Sequence, residues 1–233
     1  MPVRHTLPTR RLAATRGLLL LGACSMDTPV QQGPSSHLRF VQAIPNAQPI
    51  DIVVDSLRVL SSIGYRTASS FLRVEAGPRR LRMIQASVGG VTYVDTIIPV
   101  EFPRAYTLLS TGMVGGVVPI IAPDTAPIPL AGQAALRVIQ AAPSGGTIDV
   151  YVTESTVDIA GVTPLLEDVP FRGNTEYLSI PVGRFRVRLT TANTKTVILD
   201  QTQFFGERAM RTIVATDAAG GGSPLVGLFL VDY

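Results

Sequence analysis

LRFVQAIPNAQPIDIVVD at positions 38–55 and LRVIQAAPSGGTIDVYVT at 136–153 are one unit written twice, identical at eight of eighteen positions at an offset of 98. Each copy runs apolar residues up to a Pro-containing turn and resumes with a β-branched run, the signature of two strands joined by a turn. The repetition continues outward. YRTASSFLRVEAGPRRLRM (65–83) matches FRGNTEYLSIPVGRFRVRL (171–189) at an offset of 106, and AYTLLSTG (105–112) matches MRTIVATD (210–217) at 105. Two matched copies of about 95 residues predict two domains. The segment PIIAPDTAPIPLAGQ (119–133), with four prolines, closes the first and leads into the second.

Val150-Tyr151-Val152, Ile52-Val53-Val54 and Thr107-Leu108-Leu109 read as strands, and Gly or Pro clusters separate such runs. Arg184 to Leu189 alternates strictly, so Phe185, Val187 and Leu189 face a core and the arginines face out. No segment after the first 23 residues carries a helical apolar stripe. The expected fold is all-β: two tandem immunoglobulin-like antiparallel β-sandwich domains, at 37–122 and 135–233, joined by a linker at 123–134. The chain has no Trp and a single Cys, which excludes a true antibody-type domain.

Both copies resemble the bacterial envelope module known as domain of unknown function 4397. That pattern opens with a strand of the form (V/L)R(V/F)(V/I)(H/Q)A, then a Pro-containing turn, then a (V/I)D(V/I) strand, and later an aromatic-Leu pair and a Gly-led strand. Here these are Leu38 to Ala43, Pro45, Ile50-Asp51-Ile52, Phe71-Leu72 and Gly77, and again Leu136 to Ala141, Pro143, Ile148-Asp149-Val150, Tyr177-Leu178 and Gly183. Gln42 and Gln140 stand where many relatives carry His, which removes the position that would invite a metal or acid-base proposal. The resemblance spans 37–233 and implies an extracytoplasmic sandwich; it implies no established activity.

The amino terminus, MPVRHTLPTRRLAATRGLLLLGA, carries Arg4, Arg10, Arg11 and Arg16, no acid, and a short apolar run. This is the layout of an export signal, too short to remain as a membrane span. Leu21-Gly22-Ala23-Cys24 resembles a bacterial lipobox, so residues 1–23 are expected to be a lipoprotein signal peptide and Cys24 the lipidated first residue, with 24–36 a flexible tether. The Arg10-Arg11 pair lacks the rest of a twin-arginine pattern. Ser25 rather than Asp after the cysteine predicts delivery to the outer membrane if the host has one. Removing the leader leaves 16 basic against 17 acidic residues, a charge of −1. The basic character therefore belongs to the signal, and nucleic-acid binding is not expected.

A Ser/His/acid triad needs an imidazole, and after the leader only His37 remains, at the edge of the first strand. No SxxK spacing accompanies Lys195, the single lysine. Carboxylates are available at Asp51, Asp55, Asp95, Asp149 and Asp200. Asp51 and Asp149, and again Asp95 and Asp200, occupy matching places, so a shared fold role such as accepting turn N–H bonds accounts for them. No DxDxDG loop, GxGxxG or GKS motif occurs, so no metal or cofactor is expected.

The most distinctive surface feature is an arginine ladder, Arg184, Arg186 and Arg188, with Arg80 and Arg82 at matching sites. It is a candidate anion-binding face, weighed against a solvated face paired to acids on neighbouring strands. The second copy also carries an insertion, TVDIAGVTPLLEDVP (156–170). The expected protein is a lipid-anchored envelope module that binds or scaffolds and does not catalyse, its partner an envelope protein or polysaccharide. The alternative is a carbohydrate or anionic-polymer binder of the cell surface, and a hydrolase is a weaker third.

Overall fold

The computed structural model describes residues 33–232, together with Met1. Cys24, the signal peptide and most of the tether lie outside the described residues. The first copy contributes β1 (Ser35–Ala43), β2 (Ile50–Val54), β3 (Leu57–Ile63), β4 (Leu72–Glu75), β5 (Gly77–Gln85), β6 (Thr92–Val100), β7 (Ala105–Thr111) and β8 (Val118–Pro123). The second contributes β9 (Gln133–Gln140), β10 (Ile148–Thr153), β11 (Leu166–Val169), β12 (Leu178–Pro181), β13 (Gly183–Thr191), β14 (Val197–Phe205), β15 (Met210–Thr216) and β16 (Val226–Val231). A 3₁₀ turn at Pro143–Gly145 follows β9.

Each copy is a sandwich of two four-stranded sheets, and the copies have the same topology. The first pairs β3-β2-β5-β6 against β4-β1-β7-β8; the second pairs β11-β10-β13-β14 against β12-β9-β15-β16. Neighbours are antiparallel except for one central parallel pair per copy, β1 with β7 and β9 with β15. A parallel pair cannot be closed by a hairpin. The intervening strands supply the crossover by building the other sheet.

The strands that opened the sequence reading are buried on both faces. Leu38 and Phe40 of β1 and Leu108 of β7 point into the first sandwich, whereas Val41, Ala43 and Leu109 point the other way. There they meet Ile139 of β9, Ala141 just after it, Val214 of β15 and Leu230 of β16 in one cluster. The two inner sheets thus pack on each other, and the sheets stack in four layers. This explains why β1, β7, β9 and β15 carry apolar residues on both faces while Arg184 to Leu189 alternates. Each large aliphatic side chain in this shared layer contributes roughly 1.5–3 kcal/mol of burial.

Three sequence boundaries shift. Ser35 and Ser36, read as tether, are the first residues of β1, and the Ser36 hydroxyl donates to the Glu101 carbonyl at 2.7 Å. Pro123 and Asp124, read as linker, are the end of β8 and a buried acid; Gln133 and Ala134 already belong to β9. The insertion 156–170 is partly strand, since it contains β11.

Candidate functional site

The arginine ladder does not form one exposed cationic face. Arg80 grips Asp95 through two bonds, Nε to Oδ1 at 2.7 Å and Nη2 to Oδ2 at 2.6 Å. Arg186 holds Asp200 in the same manner, with Nε to Oδ1 at 2.7 Å. Each acid lies directly opposite the next arginine along, Arg82 or Arg188, so the pairing is the diagonal one that adjacent strands permit. The arginine hydrogen bonds hold both carboxyls below the ordinary carboxylate range. Arg82 reaches the Asp55 carbonyl at 3.3 Å.

Arg188, expected on the surface, is only 5% exposed; it donates to Thr153 Oγ1 and to the Val157 carbonyl at 2.8 Å. The insertion accounts for this burial. Lys195 Nζ bonds Tyr151 Oη at 2.8 Å and the Val162 carbonyl at 2.7 Å, while Ile159 is buried. The loop is therefore clamped over the outer face of β10 and β13. Of the ladder in the second copy, Arg184 alone is exposed to solvent, with Arg186 half-buried. The candidate anion-binding surface Arg184, Arg186, Arg188, Arg80 and Arg82 is replaced by two surface ion pairs, one covered arginine, one half-buried arginine and one solvated arginine.

Of the repeat acids, Asp95 and Asp200 pair with arginines, whereas Asp51 and Asp149 accept backbone amides at irregular points of β3 and β11. Asp51 Oδ1 accepts the amide of Ser62 at 2.8 Å, and Asp149 Oδ1 accepts that of Asp168 at 2.9 Å. Ser62 and Asp168 both have left-handed backbones, with φ of 53° and 52°. Asp149 Oδ2 accepts a second amide, from Asn193, at 2.9 Å. Gln42 and Gln140 act alike, each accepting through its side-chain oxygen the amide two residues on, from Ile44 at 2.5 Å and Ala142 at 3.0 Å.

The strongest constellation of charge is one that sequence reasoning missed. Arg39 and Arg137, 4% and 1% exposed, project from β1 and β9 into the layer between the inner sheets. Arg39 Nη2 donates to Asp232 Oδ1 at 2.5 Å and Nη1 to the Val231 carbonyl at 2.8 Å. Arg137 reciprocates: Nη2 donates to Asp124 Oδ1 and Nη1 to the Pro123 carbonyl at 2.8 Å. Each arginine thus binds the acid that ends the other copy.

Within its own copy, each acid is bridged back by a threonine. Thr107 donates to Asp124 Oδ2 at 2.7 Å while accepting from Arg39, and Thr212 donates to Asp232 Oδ2 at 2.6 Å while accepting from Arg137. An aromatic covers each guanidinium, Phe71 over Arg39 at 4.7 Å and Tyr177 over Arg137 at 4.6 Å, with Tyr177 Oη donating to Asp232 Oδ2 at 3.0 Å. Burial pushes the Asp124 carboxyl above the ordinary carboxylate range even though Arg137 and Thr107 pull it down. Burial also raises the Tyr177 hydroxyl. Such an exchange between matching positions is what a two-fold relation between the copies produces.

A signal was present in the sequence. Arg39 and Arg137 are a charged residue kept at the same place inside an otherwise apolar strand, and Asp124 and Asp232 each follow the last strand of a copy, in APD and LVD. The acids were missed because one sits in a proline-rich segment that reads as linker and the other beside the carboxyl terminus.

An open cleft of about 780 Å³ lies beside the start of β1, lined by Ser35, His37, Phe102, Arg104, Asp124 and Pro127. It brings His37 near a carboxylate. Both oxygens of that carboxylate are already bonded, to Thr107 and Arg137. Among the described residues, no group of three or more His, Cys, Asp or Glu side chains could hold a metal ion.

No curated protein matches the chain. Among solved structures, it is similar to a streptococcal family 41 carbohydrate-binding module from a study of α-glucan recognition, at 14% identity and a TM-score of 0.27, over 78% of this chain and 94% of that one. It is also similar to a family 26 carbohydrate-binding module of Eubacterium rectale Amy13K solved with maltoheptaose, at 10% identity and a TM-score of 0.26, over 82% of this chain and 96% of that one. A family model matches residues 36–151, from the second residue of β1 to Tyr151 in β10, and through that stretch the chain belongs to the family described as a domain of unknown function, DUF4397.

Proposed function

We propose that this protein is a lipid-anchored module of the bacterial envelope whose two sandwiches act as a single rigid body that binds or scaffolds and does not catalyse. The reciprocal Arg39–Asp232 and Arg137–Asp124 pairs carry this reading. They commit four buried charged side chains to joining the copies. The shared apolar layer around Val41 and Ile139 does the same with its aliphatic side chains.

The joining also orients the loops. Arg39 lies 3.9 Å from Asp124, the partner of Arg137, so β1 and β9 start at the same end. The opposite end gathers loops from both copies, tied by Gly220 N–H to the Pro45 carbonyl at 2.8 Å and Tyr65 Oη to the Asp217 carbonyl at 2.9 Å. Gly112, with φ of +99°, makes the tight exit from β7 there; a Cβ on it would meet the Gly116 carbonyl oxygen at 2.5 Å. Loops carried by a rigid scaffold are suited to recognition. This end is the surface we assign to an envelope protein or polysaccharide partner.

Two experiments test the reading. Cys24→Ala leaves both sandwiches folded and releases the protein from membranes; retention of that variant in detergent-treated membranes at the wild-type level contradicts the anchor. Photo-crosslinkers placed at Val114 and at Ser144 capture the same discrete envelope component. Capture of nothing from either position, with the protein at its native level, contradicts a binding role for that end.

A further inference from the structure

The end at which the chain enters β1 carries large exposed apolar side chains at its tips. Phe102 in the β6–β7 loop is 60% exposed, Ile128 and Leu130 between the copies are 73% and 72% exposed, and Val231 at the end of β16 is 63% exposed. Leu57, the first residue of β3, is exposed as well. Hydrogen bonds place these tips together. His37 N–H bonds the Arg104 carbonyl at 3.2 Å, Asp124 N–H the Ala105 carbonyl at 2.8 Å, Gln133 N–H the Leu130 carbonyl at 3.1 Å, and Asp232 N–H the Met210 carbonyl at 3.0 Å. Each bond ties a loop or strand end to the start of β1, β7, β9 or β15. The reciprocal arginine pairs bring those four starts to one end. The apolar tips therefore arise from both copies and project from the same side.

We infer that this end rests on the bilayer, with Phe102, Ile128 and Leu130 immersed in the headgroup boundary and the loops of the opposite end held away from it. The inference rests on the anchor reading. Ten residues lie between Cys24 and Ser35, a reach of no more than about 40 Å when fully extended. A lipid on Cys24 would tether the fold by this end, where the chain enters β1. Large exposed apolar side chains grouped on one end mark an interaction surface, and tips that enter only the interfacial zone require no spanning segment. The bilayer is the partner that the point of chain entry supplies.

The chain has no tryptophan, so a single indole reports one position. Phe102→Trp and Val88→Trp are made in the full chain, lipidated in a bacterial host. Val88 is the matched control, as an exposed apolar residue on the β5–β6 turn at the far end, where Ala86 N–H bonds the Pro49 carbonyl. Each protein is reconstituted into vesicles of phosphatidylethanolamine and phosphatidylglycerol, with or without phosphatidylcholine brominated near the glycerol backbone.

Trp at 102 is expected to lose about two-fold of its emission in the brominated vesicles, as an indole some 5–10 Å into the boundary would, while Trp at 88 is unchanged. Protein that sediments with the vesicles but shows no quenching at 102, or equal quenching at both sites, overturns the docking and leaves the anchor standing. Protein that does not sediment overturns both. Adding Ile128→Ser and Leu130→Ser to Phe102→Trp is expected to reduce the quenching without releasing the protein. Unchanged quenching in that variant removes those two side chains from the contact.

Discussion

Arg39 and Arg137 show how a charge can sit in the middle of an apolar layer. Nε and both terminal nitrogens of each have bonding partners, and each carboxylate is shared between a guanidinium and a threonine. Removing one member of such a pair leaves an uncompensated buried charge. Arg39→Met is therefore expected to destabilise the fold by about 3–5 kcal/mol, read as a lower urea midpoint. Arg39→Met with Asp232→Leu removes both charges and is expected to recover most of that loss; a double variant as unstable as the single one would mean that packing, and not charge, matters at Arg39.

The acids titrate in opposed directions. The raised Asp124 carboxyl makes the native state hold more protons than the unfolded chain just above the ordinary carboxylate value of 3.8, so this group makes stability rise as pH falls through that window. Asp95 and Asp200, held below 3.8 by their arginines, add stability that is present above 3.8 and is lost as pH falls through their lowered values. Asp124→Asn is expected to remove the upper effect and keep the lower one. Stability measured by urea unfolding across acidic pH checks this; an unchanged profile above 3.8 contradicts the assignment.

Among the elements, β13 and the insertion before it show most clearly what the sequence could and could not reveal. The strict alternation of Arg184 to Leu189 predicted a strand with Val187 and Leu189 inward, and both are fully buried. The same alternation placed Arg188 in solvent. It could not register that residues 156–165 fold back over that face, because their cover depends on Lys195, which acts from the turn between β13 and β14. Periodicity reports which face of a sheet a residue is on, and what lies above that face is a tertiary fact. The repeat offsets revealed the two copies and the matching acids for the same local reason, and the Arg39–Asp232 pairing, 193 residues apart in sequence, lay beyond them. Lys195→Met is expected to speed amide exchange at Val157 and Val162 by about tenfold, the loss of one charge-assisted hydrogen bond, with β13 unaffected. Equal acceleration in β13 would mean that the loop is part of the second core and not a cover on it.

At the scale of the whole molecule, the repeat is less a pair of beads than a dimer within one chain. The two inner sheets form a common layer, and the charged pairs cross it in both directions. The same arrangement turns the starts of both copies toward one end and the loops of both copies toward the other, so the rigidity, anchoring and presentation proposed above all trace to one interface. Differential scanning calorimetry of the soluble Cys24→Ala protein tests that interface most directly. The account predicts one transition whose calorimetric and van't Hoff enthalpies agree for the full chain, separating into two when Arg39→Met and Arg137→Met are combined. Two independent transitions in the protein that retains both arginines would contradict it.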